Sequence, residues 1–120
     1  MTIEIDIPPY PYKLIVSFNE TYEAFLEDVK YLICLGNLDT MEFREHFKDP
    51  VSRGLTKRLS SGHIISAMGS KDIGLITHEM FHATVLYANT LGIEFKLENH
   101  ESYAYMIQHL VSIIYKTLNL

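Results

Sequence analysis

Residues 73 to 91 read IGLITHEMFHATVLYANTL. Ser70 or Asp72 can cap the start of a helix here and Gly92 can stop it, so one helix is predicted through about Leu91. Ile73, Leu75, Ile76, Met80, Phe81, Val85 and Leu86 distribute apolar side chains almost all round it. A helix with no polar face is expected in the middle of a domain. Within it His78-Glu79-Met80-Phe81-His82 forms an H-E-x-x-H sequence. Four residues are a little over one helical turn, so the two imidazoles stand one above the other and can bind one metal ion. Glu79 is turned about 100° from His78 and can serve a metal-bound water without being a ligand. Two neutral imidazoles with a carboxylate beside them suit metal-assisted hydrolysis. With six histidines and ten glutamates in 120 residues, random placement gives this pattern about 0.02 times per chain. Three ionisable groups buried within five residues also call for a compensating partner, and a dication is one.

Upstream, Ile3, Ile5 and Ile7 alternate with Thr2, Glu4 and Asp6, the pattern of a short strand. Pro8, Pro9 and Pro11 end it. Lys13 to Phe18 (KLIVSF) is a second strand. Tyr22, Phe25, Leu26, Val29, Leu32 and Ile33 mark an amphipathic helix, with Asn19 as N-cap and Gly36 as its stop. From Asn37 to Ser61 the pattern is irregular: Asp39 and Glu42 suggest a capping box for a short helix that ends before Pro50. Five of the ten basic residues lie there, Arg44, Lys48, Arg53, Lys57 and Arg58, a local patch read as a solvated face. Ser61-Gly62 then turns the chain into a strand, His63 to Met68, closed by Gly69. Cys34 reads as a small buried hydrophobe, and His46 and His109 as surface or edge histidines.

A last helix is expected from near Asn99 to about Thr117. Catalytic zinc needs a third protein ligand and an open fourth position. Glu98, His100, Glu101 and His109 are the candidates, and helical geometry favours Glu101. Tyr105, Gln108 and Ser112 follow it at i+4, i+7 and i+11, a polar stripe expected to face inward toward a metal.

This order of strand, H-E-x-x-H helix and a glutamate about twenty residues on resembles the gluzincin branch of the zincin metallopeptidases. The length is similar to minigluzincins and to small phage-type zincin-like proteins with an E-x-x-A-Y pattern, here Glu101-Ser102-Tyr103-Ala104-Tyr105. The likeness runs from Gly62 onward. It implies an α+β, minimal zincin-like domain over residues 1–120, in which a small N-terminal sheet with a backing helix carries the active-site helix and a C-terminal glutamate helix. It implies Zn²⁺ as cofactor, His78, His82 and Glu101 as its ligands, and Glu79 as the general base. It implies that His63 to Met68 is the edge strand pairing with an extended peptide. Many gluzincins carry an aspartate four residues after the ligand glutamate; Tyr105 stands there instead. Tyr105, His100 and Tyr103 are the candidates for orienting a ligand or stabilising an oxyanion.

Composition narrows the rest. With 48% hydrophobic and 21% charged residues the chain reads as an ordinary globule. A net charge of -5 argues against nucleic acid or anionic lipid as a general partner. A single cysteine allows neither an intrachain disulfide nor a cysteine metal cage. No apolar run reaches a membrane span, the start lacks the signs of a signal peptide, and a cytoplasmic setting is expected. The leading expectation is a zinc metallopeptidase acting on a peptide or protein. A SprT-like DNA-associated protease is the second, on the likeness of HEMFHA and the basic patch. A non-catalytic zincin-fold module, with a protein partner or a second copy of the chain, is the third.

Overall fold

The computed structural model describes residues 1–30, 37–94 and 96–120, with the backbone alone for 37 and 38. Four strands, β1 (Thr2–Asp6), β2 (Lys13–Phe18), β3 (Gly54–Arg58) and β4 (Ile64–Met68), form one mixed sheet in the order β1-β2-β4-β3. The two outer pairings are antiparallel, and the central β2–β4 pairing is parallel, with Val16 opposite Ser66. Four α-helices pack on this sheet: α1 (Tyr22–Val29), α2 (Asn37–Lys48), α3 (Ile73–Thr90) and α4 (His100–Leu118). The architecture is α+β.

Strand alternation divides the core in two. Ile3, Ile5, Leu14, Val16, Ile64 and Met68 face α3 and α4, meeting Ile76, Met80, Ala83, Leu110 and Ile114. Ile15, Ile65 and Ala67 face the other way, onto Phe25, Val29 and Phe43. Because β2 and β4 are covered on both faces, they read as apolar runs broken inside only by Ser17 and Ser66. In β1, Glu4 and Asp6 remain exposed. Gly62 turns the chain between β3 and β4 at φ 101°, and a β-carbon there would stand 2.5 Å from the Tyr12 ring, so only glycine fits.

The structure revises several local expectations. Thr21, not Asn19, caps α1, its hydroxyl accepting from the Ala24 amide. The expected stop at Gly36 and the apolar positions Leu32, Ile33 and Cys34 lie outside the described residues. Asp39 is no cap: it sits inside α2, buried, accepting from the backbone and hydroxyl of Ser60. The irregular stretch contains a strand, β3, hidden by its basic residues. His63 to Met68 forms β4 as expected, but β4 is interior to the sheet. The edge beside the H-E-x-x-H helix is β3.

His46 is not a surface histidine. It is buried in the last turn of α2, with Nδ1 2.6 Å from Ser52 Oγ. Burial pushes its pKa below the ordinary 6.5, against the opposing pull of Glu79 and Asp49. The unfolded chain therefore takes up a proton at this position before the folded one does, and stability falls as pH drops through and below about 6.5. Thermal melts between pH 7.5 and 5.5 should show this loss, and His46→Asn should flatten it.

Candidate metal centre

The site is built where α3 crosses the sheet next to its β3 edge. Asp72 starts the helix, its carboxylate accepting from the Leu75 amide at 3.0 Å. From that start, the rotation of α3 is set by the residues it buries, Leu75, Ile76, Met80, Ala83, Thr84, Tyr87 and Ala88. Glu79 falls on this buried face. His78 and His82 fall on the opposite one and are exposed. This corrects the expectation of a helix buried all round: Ile73 and Phe81 are exposed as well, and one side of α3 is open to solvent. The compensation argument therefore applies to Glu79 alone.

His78 Nε2 and His82 Nε2 stand 3.2 Å apart, with their rings at 75°. Two nitrogens bound to one tetrahedral zinc at 2.0–2.1 Å lie about 3.3–3.4 Å from each other. The imidazole pair is thus spaced as one ion requires. Glu79 Oε2 lies 3.8 Å from His78 Nε2, beyond hydrogen-bond reach. The three ligand atoms fall within 4.8 Å of one another, so the group could hold a metal ion.

Glu79 is only 3% exposed, and a buried carboxylate needs a donor. The Thr56 hydroxyl provides one, 2.7 Å from Oε1. Ser66 Oγ on β4 lies 2.7 Å from the same hydroxyl, which fits the register placing Thr56 opposite Ser66. Two residues along β3, Gly54 lies flat against the carboxylate. A β-carbon at Gly54 would come within 2.9 Å of Glu79 Cδ and Oε2. An open cavity of about 530 Å³ runs past this point, lined by Ser52, Arg53, Gly54, Asp72, His78 and Glu79 among others. Gly54, Thr56 and Ser66 were not singled out from the sequence. The only signal was a glycine two residues before a threonine in an otherwise basic stretch.

Comparison of the chain with protein families, curated proteins and solved structures finds no match.

The other expected site residues lie on or near α4. Glu101 and His100 are in its first turn, both exposed, and Glu98 is exposed in the short 3-10 turn Leu97–Asn99 that precedes it. Among the described residues, none of these three, nor His109, joins the His78–Glu79–His82 group. Tyr103 is buried, its hydroxyl donating to the Ile93 carbonyl at 3.2 Å, and Tyr105 is 65% exposed. The polar stripe expected to face inward is overturned. Glu101, Tyr105, Gln108 and Ser112 all face solvent, because Tyr103, Leu110 and Ile114 claim the buried line of α4.

Two substitutions probe the Glu79 cradle. Thr56→Val removes the donor and should cost about 1–3 kcal/mol in urea unfolding, the penalty of a buried acceptor left unpaired. Gly54→Ala should displace the carboxylate, and its loss of stability should shrink in the Glu79→Ala background, where the collision is gone.

Proposed function

We propose that the protein is a zinc metallopeptidase with a minimal zincin-like fold. The observation that carries this reading is the 3.2 Å spacing of the two imidazole nitrogens beside a buried carboxylate oriented from the sheet. Two neutral imidazoles are a donor set that zinc favours. In this reading His78 and His82 would hold the ion; Glu101, which the resemblance names as the third donor, stands apart from the pair in this structure and would have to be brought to it. The ion supplies Lewis-acid polarisation of the scissile carbonyl and of the attacking water.

Glu79 does the proton work. Thr56 occupies Oε1, so Oε2 is the oxygen that accepts the proton of the attacking water and later returns it to the leaving amine. Gly54 gives that oxygen room beside the strand. The peptide lies along β3. Gly69 N donates to Arg53 O and Leu59 N to His63 O, so alternation puts Leu55 and Lys57 in the bonded pairs and turns the amides and carbonyls of Gly54, Thr56 and Arg58 outward. An extended segment can add there as a further strand, next to the cavity containing His78 and Glu79.

A metal-holding module without catalysis is the competing reading, favoured by the solvent-facing position of Glu101 and Tyr105. Native mass spectrometry and peptide cleavage together separate the two. One zinc is expected per chain, lost in His78→Ala and His82→Ala and weakened in Glu101→Ala. Glu79→Gln should keep zinc and lose cleavage by at least about 100-fold, the lower range for a general base. Zinc binding with no cleavage of any unfolded protein or peptide mixture by the wild type would favour the module.

A further inference from the structure

The β3 edge differs from the rest of this acidic chain in its charge. It is flanked by Arg53 and ends in Arg58, with Lys57 between them. Lys57 is engaged by Glu42 at 3.2 Å on the α2 side. The two arginines are exposed, and neither makes an ion pair with any carboxylate among the described residues. Arg58 donates one guanidinium N–H to Thr90 Oγ1 at 3.0 Å, which fixes the head beside the strand and leaves further donors open. Arg53 lines the cavity that contains His78 and Glu79. The carboxylates that line a cavity with it are Glu79, held by Thr56, Asp72, which caps α3, Asp49, which accepts from the Val51 amide, and Glu20.

Six residues of extended chain span about 17 Å from Arg53 to Arg58. A strand added along this span satisfies outward amides and carbonyls in alternation, which a DNA backbone, having acceptors only, does not do. The two cations penalise a basic strand and favour an acidic one. Resting on the peptidase reading above, we infer that the substrate is an extended peptide segment rich in aspartate and glutamate, whose carboxylates pair with Arg53 and Arg58 on either side of the outward edge of β3.

Fluorescence anisotropy tests this with labelled hexapeptides that differ only in charge: an Asp/Glu peptide, its Asn/Gln isostere and a Lys peptide, alongside a short oligo-dT. The protein is the Glu79→Gln variant, with wild type plus chelator as the second preparation, so that a folding defect in one does not remove the measurement. The acidic peptide should bind at least about tenfold tighter than its isostere. It should lose up to about fivefold in each of Arg53→Gln and Arg58→Gln, the upper range for an exposed pair, and weaken further with added salt. Equal binding of the acidic peptide and its isostere would overturn the inference, and so would tighter, arginine-dependent binding of oligo-dT. Cleavage by the zinc-loaded wild type distinguishes the two levels. If both peptides are cut alike, the peptidase reading stands and the acidic preference falls. If the acidic peptide binds selectively but is never cut, the preference stands and the peptidase reading falls.

Discussion

The candidate centre depends on one buried charge. Glu79 cannot enter the sheet–helix interface without a hydroxyl to meet it and a gap in the strand beside it. Thr56 and Gly54 supply these from the same face of β3. The pairing of β3 with β4 then carries the constraint inward, because Ser66 on a central strand shares the Thr56 hydroxyl. Leu75, Ile76, Met80 and Ala83 bury the side of α3 that carries Glu79 and leave His78 and His82 on the outer side.

Much of the fold was legible in the sequence. The alternation of Ile3, Ile5 and Ile7, the apolar run of β2 and the Asp72 cap each carry a local signal strong enough to survive tertiary packing. β3 was not legible, since strand patterns are recognised by apolar residues at every second position. Here the positions facing α3 are Gly54, Thr56 and Arg58, chosen to meet Glu79 and Thr90 rather than a core. The same exchange of packing for chemistry hid Gly54 and Thr56 as site residues.

The pair His78 and His82 and the offset Glu79 were readable from helical pitch alone. The rotation of α3 was not, because apolar residues on the exposed side, Ile73 and Phe81, concealed which face was buried. On α4 the expectation erred in a related way. A polar stripe on an otherwise apolar helix reads as inward when a metal is there to meet it, yet Tyr103, Leu110 and Ile114 are enough to seat the helix the other way. His46 went the other way: a residue read as peripheral is buried, its imidazole next to Ser52.

The strand order also bears on how the chain reaches this structure. β1 joins β2, and β3 joins β4, across short connections, whereas β2 and β4 pair in parallel between residues 50 apart in sequence, as Leu14 with Ile64. Contacts close in sequence form at lower entropic cost than distant ones. On that ground the two hairpins are entropically cheaper to form than the parallel seam between β2 and β4. Gly54 and Thr56, which cradle Glu79, both belong to the second hairpin, so the centre draws its support from a locally paired edge of the sheet and not from its long-range seam.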